Sequence, residues 1–361
     1  MTWENGIFGM VSKEDWLSVP FTPPVIASDP IDVLFGNEKT DNIGARWDEI
    51  SADQLVPSMA QFHAFDTEAI KTVSPVLTNH YIEKGLIKVK QNQSERLQQL
   101  RKQGVINDDA MYRYVINDGA RLARAVDVRA RVAKNEALAT GQVTIGENNL
   151  SLTIDYGVSD AQKSFTLDLG PESDVPSQIQ AILDVASENG VVITGMITSK
   201  RNLTKMRNNH AIQIAKNGVN STGALVSNTE LRAYLSDEFG IDTIIVQDNV
   251  YNANIEEIDT TTGKLKYVPR RYYPQDKITF FATPVNGSSL GVGLWGDPPE
   301  VVNPLTQTTG SGVSPYVYIH QWTENDPAVL WTKASSLFIP VIYNPSGLYI
   351  ATVISSAGDG A

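Results

Sequence analysis

The chain of 361 residues contains no cysteine, which excludes disulfides and thiolate metal sites and leaves the redox compartment unmarked. Histidine is nearly absent as well. His63, His80, His210 and His320 are the four, and no two sit at the spacing of a metal-binding motif. Cations are in deficit: 29 Lys and Arg face 41 Asp and Glu, for a net charge of −12. That balance argues against tight direct binding to nucleic acid, which needs clustered Lys and Arg. No apolar run approaches the roughly 20 residues of a membrane helix. The opening MTWENGIFGM puts acid and Trp where a signal peptide is basic and then apolar. A soluble protein made in a cytoplasm is the expectation.

What is present is a helix of unusual length. Asn107 to Gly141 reads as one helix of roughly 32 residues, about 48 Å long at 1.5 Å per residue. Asn107 and Asp108 can cap its start, because a short polar side chain accepts the free N–H groups of the first turn. Gly141 stands where a left-handed C-cap falls. Val115, Gly119, Leu122, Val126, Ala130, Ala133 and Ala137 share one stripe of mostly small residues, which lets a sheet or second helix lie close. Arg121, Arg124, Asp127, Arg131 and Lys134 are expected on the other side, facing solvent or a neighbouring subunit. Without heptads, this is a strut rather than a coiled coil.

Around the strut the chain divides by composition. The length allows two or three domains, and 42% apolar residues suffice for a real core. Residues 1–57 are proline-rich with scattered Trp3, Trp16 and Trp47, which reads as an extended arm ordered against something else. Residues 58–90 hold two strand-like runs, HAFDTEAI and PVLTNHYIEKGLIKVK, expected as a long hairpin turning near Lys71–Pro75. After the strut, QVTI and NLSLTIDYGV form a hairpin. Val143, Ile145, Leu150, Leu152, Ile154 and Tyr156 are expected on its apolar face. An α+β module follows. Asp174, Ser199 and the Ser227-x-x-Glu230 capping box open its helices, while Asn189-Gly190 and Phe239-Gly240 close two of them. GVVITGMIT, IDTIIVQD and KITFFA are its strands. Residues 283–315 read as loop or edge structure. The β-rich tail from Tyr316 needs a distant partner, and the hairpin after the strut is the expected one. One domain is then discontinuous, with the α+β module inserted into it.

Catalytic motifs fail on context. Gly287-Ser288-Ser289-Leu290-Gly291 matches G-x-S-x-G, with Asp297 and His320 following in hydrolase order. A nucleophile elbow needs a strand running into the Ser and a helix directly after it, and Asp297-Pro298-Pro299 cannot start a helix at a useful place for that. Gly291-x-Gly293-x-x-Gly296 has dinucleotide-like spacing without a strand–helix setting. No catalytic, cofactor-binding or metal residues are therefore assigned, and no cofactor is expected. The chain is not expected to be an enzyme.

The order arm, long hairpin, diagonal helix, inserted module and β return is similar to the Hong Kong 97-type capsid fold. HAFDTEAIKT with PVLTNHYIEKGLIKV, the strut YRYVINDGARLARAVDVRARVAKNEALATGQVTI with LTIDYG, GVVITGMITSKRNLTKM, IDTIIVQDNVY, GVGLWG and NDPAVLWTKASSLFIPVIYNPSGLYIATV together resemble the lambda-type (E family) tailed-phage major capsid proteins over residues 31–354. The resemblance implies an α+β chain divided into an N-terminal arm (1–57), an extended loop (58–90) and a peripheral domain (91–170) with its spine helix over 108–140. An axial domain (171–312) and a peripheral return (313–361) complete it. It implies self-assembly as hexamers and pentamers into an icosahedral head shell around double-stranded DNA, assembled in the host bacterial cytoplasm and found in the virion. A separate scaffolding protein, a portal and a decoration protein are the implied partners. Some members carry a long charged N-terminal extension that acts as an internal scaffold; here the reading opens on the Pro/Trp arm, so scaffolding is expected from a separate protein. Subunit contacts are expected from Trp16, Phe62, Phe65, Ile70, Val73, Val76, Leu77, Arg124 and Arg131. The other readings open to the sequence are a tail-tube or decoration protein, and a serine hydrolase using Ser289.

Overall fold

The computed structural model describes residues 29–50, 59, 77–93, 108–147, 150–218, 223–254, 257–260, 265–282, 290–302, 316–325 and 328–355. Its strands run in order β1 (Phe35–Lys39), β2 (Gly44–Ile50), β3 (Leu77–Glu83), β4 (Gly85–Gln93), β5 (Gln142–Glu147), β6 (Leu150–Asp155), β7 (Phe165–Asp168) and β8 (Gly195–Thr198). Then come β9 (Thr243–Val246), β10 (Val250–Asn252), β11 (Pro269–Arg271), β12 (Lys277–Phe281), β13 (Gly291–Gly296), β14 (Tyr318–Asn325), β15 (Ala328–Ile342) and β16 (Leu348–Ile354). The helices are α1 (Asp108–Thr140), α2 (Asp160–Lys163), α3 (Val175–Glu188), α4 (Lys200–Arg207), α5 (His210–Asn217), α6 (Asn228–Phe239) and α7 (Pro299–Val302).

The frame is a helix laid along a strand. Helix α1 has 33 residues and β15 has 15, so both span about 50 Å, and they pack on each other. The small stripe makes this possible: Leu122, Val126, Ala130, Ala133 and Ala137 are buried, and Gly141 takes the left-handed conformation (φ 71°) that ends the helix. Strand β15 carries β14 and then β13 along one edge and β4 along the other, because β4 pairs across 330–338 and overlaps both. Strand β1 adds to β13 in parallel. Pro340, which has no N–H to give, lies beyond the stretch paired with β4. Its carbonyl accepts a hydrogen bond from buried Tyr156.

The second sheet has the order β7-β16-β12-β8-β9, with β12 antiparallel to its two neighbours and the other pairs parallel. Helices α3, α5, α4 and α6 pack with one another beside it. They start where capping chemistry puts them: Asp174, Ser199, Asn209 and Ser227 each accept a backbone N–H of the first turn. Helix α5 with its Asn209 cap is the one the sequence pattern leaves out.

Three expectations are corrected. The tail does not pair with the β5–β6 hairpin, whose strands form a sheet only with each other among the described residues. Leu150 and Leu152 are exposed, and only Val143, Ile154 and Tyr156 of the expected apolar face are buried. The final strand β16 instead crosses into the second sheet. LYIATVI is a nearly continuous apolar run, suited to a strand flanked on both sides and covered on both faces. Conversely, Gly291–Gly296, expected as loop or edge within residues 283–315, is an interior strand of the first sheet. The chain therefore changes sheets between β12 and β13 and again between β15 and β16, and the strands on either side of the expected boundary at residue 312 share one sheet. Lastly, β3 pairs in register with β2, Gly44–Ile50, which the proline count assigns to the arm. Gly44–Ile50 contains no proline, so nothing bars a strand there. The run HAFDTEAI and the turn near Lys71–Pro75 lie outside the described residues.

Candidate assembly surfaces

Residues 29–44 cross the end of α1 and the edge of the first sheet, and two buried lysines hold them there. Lys134 on α1 is 2% exposed. Its ammonium donates to the Phe35 carbonyl (3.1 Å), Asn37 Oδ1 (2.8 Å) and Asp32 Oδ1 (3.2 Å). Lys84, between β3 and β4, donates to the carbonyls of Thr40 (2.9 Å), Asn42 (2.7 Å) and Trp295 (3.1 Å) and to Thr40 Oγ1 (2.8 Å). Burial pushes both amines below the usual lysine range, and Asp32 beside Lys134 and Asp41 near Lys84 pull the other way. A buried ammonium is tolerated only where hydrogen bonds replace its water, and here the bonds also fix the path of the N-terminal segment.

Strand β13 supplies the room. A Cβ on Gly293 would stand 2.7 Å from Lys134 Cε, and one on Gly296 would stand 3.0 Å from Lys84 Nζ. One on Gly291 would come within 2.5 Å of the Val341 carbonyl oxygen and closer still to the Phe35 ring. The dinucleotide-like glycine spacing is thus a packing device. Beside it Trp295 stacks on Tyr316 (5.3 Å) and donates Nε1–H to Asn37 Oδ1 (2.9 Å).

A third junction is wholly polar. Asp29 Oδ1 accepts from the Ile31 N–H (3.2 Å) and from Gln247 Nε2 (2.5 Å), and Oδ2 accepts from Asn135 Nδ2 (3.4 Å). Gln247 Nε2 also reaches Asn135 Oδ1 (3.2 Å). Burial raises the Asp29 pKa, and the Ile31 N–H moderates the rise. The N-terminal segment, the spine helix and the end of β9 meet at this point.

The sequence profile described as phage major capsid protein E matches residues 85–353. The chain belongs to that family. It is a major capsid protein with a Hong Kong 97-like fold, part of the virion, and it builds the phage head shell. The family is structural, not enzymatic. Among solved structures, the putative capsid protein of a prophage of E. coli CFT073 is 14% identical, with a TM-score of 0.51, covering 90% of this chain and 92% of that one. A phage-related protein from Bordetella bronchiseptica RB50 is 13% identical, with a TM-score of 0.49 and coverage of 94% and 95%. Comparison with curated proteins finds no match.

Within this capsid protein the expected contact residues divide. Trp16, Phe62, Phe65, Ile70, Val73 and Val76 lie outside the described residues. Leu77 opens β3, its Cα opposite Ile50. Arg124 is half-buried on α1. Arg131 turns onto its own chain, 3.1 Å from Asp127 and 4.0 Å from Asp32. Lys134, expected on the outer face with them, is buried instead, because Gly293 leaves space above it. Of the hydrolase candidates, Ser289 is outside the described residues, Asp297 pairs with Lys39 at 2.7 Å, and buried His320 stacks on Trp322 at 5.3 Å. The sequence pattern passes over Asp29 and Lys84, and it notices the glycines of β13 only as a dinucleotide-like spacing without context. The alternation of Gly with Val, Leu and Trp in GVGLWG is the one signal that points to them.

Proposed function

We propose that this capsid protein assembles as hexamers and pentamers into a closed icosahedral shell around packaged double-stranded DNA. Its arm and its loop over residues 58–90 lap onto neighbouring copies. Assembly takes place in the host bacterial cytoplasm on a separate scaffolding protein, with a portal at one vertex and a decoration protein outside. A wall of net charge −12 repels phosphate and lets DNA slide past during filling.

The observation that carries the lapping is the β2–β3 ribbon. It forms a two-stranded sheet of its own, and such a ribbon is marginal in water by itself. The sequence between its strands includes Phe62, Phe65, Ile70, Val73 and Val76, apolar residues that call for an outside partner. Trp16, Arg124 and Arg131 are the further contact residues in this reading.

Replacing residues 66–78 with a short Gly/Ser linker tests it. A subunit that melts near the parental temperature but forms no shells by electron microscopy is the expected result. Early melting or aggregation would mean that the loop folds back on its own chain, and closed shells of normal size would sink the lapping role.

A further inference from the structure

A primary amine beside a carboxamide is a reactive pair in principle. In water the pair is inert, because the amine is protonated and solvated and the two groups rarely meet in line. The junction of α1 with β1 removes both obstacles. Lys134 is buried, and burial moves its amine below the usual lysine range, toward the neutral form that can attack, while Asp32 pulls the other way. Its Nζ stands 2.8 Å from Asn37 Oδ1. With a C=O bond of about 1.23 Å, the amine is within about 4 Å of the carboxamide carbon. The two residues are 97 apart in the chain, so only the fold brings them together.

The surroundings suit acyl transfer. Trp295 Nε1–H donates to the same Asn37 Oδ1 at 2.9 Å, where negative charge gathers as an amine adds to the carbonyl. An indole N–H and an ammonium are donors only, so the atom between them is the amide oxygen and not its nitrogen. Asp32 Oδ1 lies 3.2 Å from Lys134 Nζ and can take its proton. The Asp32 side chain is 33% exposed and Asn37 is exposed as a residue, which gives a departing ammonia a way out to water. Gly293 keeps the approach open: a Cβ there would stand 2.7 Å from Lys134 Cε and 3.0 Å from Asn37 Oδ1. Nucleophile, polarised carbonyl, base and exit are all present at one point.

We propose that Lys134 and Asn37 join in an isopeptide bond within one subunit, made by the folded chain itself with loss of ammonia. The Lys134 ammonium first gives a proton to Asp32 Oδ1. The neutral amine attacks Asn37 Cγ, a C–N bond forms, and the carbonyl electron pair moves onto Oδ1 beside the Trp295 N–H. The attacking nitrogen sheds a second proton, the Asn37 nitrogen takes up the one held by Asp32 through water, and the Cγ–Nδ2 bond breaks as the carbonyl reforms. Ammonia leaves and carries off the second proton as ammonium. Asp32 ends as it began, and nothing is oxidised or reduced. Freshly folded chains hold the hydrogen-bonded pair, and the bond accumulates afterwards, clipping the N-terminal segment to the spine helix.

The link lies inside one copy, so it is read on isolated subunits whether or not shells form. Full-length parent protein is purified, incubated for days near neutral pH and weighed intact. A mass lower by one ammonia is expected. Trypsin should then leave Lys134 uncut and release a branched peptide joining residues 14–39 to residues 132–163. Lys134→Arg keeps a cation without a nucleophilic amine, and Asn37→Ala removes the carboxamide, so both should keep full mass. Asp32→Asn should slow the loss roughly a hundredfold, the scale of a lost proton acceptor. Parent protein that stays at full mass and releases linear residues 135–163 overturns the proposal. So does ammonia lost without the branched peptide, and so does a link from Lys134 to Asp32 with loss of water. The parent's peptide map decides the matter alone if a variant fails to fold.

Discussion

Lys134→Met removes the ammonium that fastens the N-terminal segment to the spine helix while keeping an unbranched side chain beside Gly293. Three hydrogen bonds are lost, to Phe35, Asn37 and Asp32. They are not equal. Asn37 Oδ1 retains the Trp295 N–H. The Asp32 side chain is 33% exposed and has Arg131 nearby, so water can take over its solvation. The Phe35 carbonyl, buried, loses its ammonium donor, at a cost of about 1–3 kcal/mol. Removing one partner of a fully buried ion pair costs roughly 3–5 kcal/mol. The partial exposure of Asp32 brings the expectation here to about 2–4 kcal/mol. At about 2 °C per kcal/mol, the low end for large domains, melting should fall by roughly 4–8 °C. Calorimetry of the parent and variant measures this, with exposed Lys216→Met as the control. Tryptic cleavage after Lys39 should also accelerate, because the segment opens locally before the rest of the chain. A variant that melts within a degree of the parent, with Lys39 equally protected, would refute the idea that Lys134 holds the segment.

Gly291→Ala should be poorly soluble, because the new methyl collides with the Val341 carbonyl and the Phe35 ring, and overpacking at backbone typically costs at least 1–3 kcal/mol. Soluble yield and melting read this, and parental values would show that β13 can shift. Val126→Asp places a carboxylate at a fully buried position of the spine stripe, so it should cost several kcal/mol and yield insoluble protein, whereas soluble, assembling Val126→Asp protein would mean the face is misassigned. Asp29 binds its proton more tightly folded than unfolded, so folding takes up a proton between the ordinary carboxylate value and the raised one. Its contribution to stability must then increase as pH falls through the raised value and level off below the ordinary one. Denaturant titrations of the parent against Asp29→Asn across that window should show the parent gaining ground toward acid, and a gap that is constant or moves the other way rejects the assignment.

How much could be read from the sequence depends on whether local chemistry decides the structure. The spine helix was legible because 33 residues without proline, a small-residue stripe and Gly141 all agree. The caps at Asp174, Ser199 and Ser227 were legible because a cap is settled within four residues. Long-range pairing was not. Nothing in LYIATVI says that it crosses into the second sheet, since a doubly covered strand shows its burial but not its neighbours. Lys134 was misplaced for a related reason. Helical spacing gives an angle on the helix, and whether that angle faces water depended on a glycine 159 residues away in β13. The family resemblance carried the overall order of parts, while the contact residues on the arm and loop rested on burial logic alone.

The two kinds of surface in this subunit divide its work. At these junctions of the chain with itself, buried polar groups are paired: Lys84 finds its acceptors on the N-terminal segment and β13, and Asp29, Asn135 and Gln247 bond to one another across three parts of the fold. Where the chain leaves its own body, on the β10–β11 ribbon and the tip of the β5–β6 hairpin, large apolar side chains face outward. Paired polar groups specify one geometry because a misplaced partner strands a buried charge or amide. Apolar surface is less particular about geometry and gains stability wherever water is excluded. A shell subunit needs both properties in different places. The body must hold one shape in every copy, whereas its contacts must accept neighbours at slightly different angles as the copies close a curved wall. Putting the directional bonds inside and the non-directional contacts outside meets both demands with one sequence.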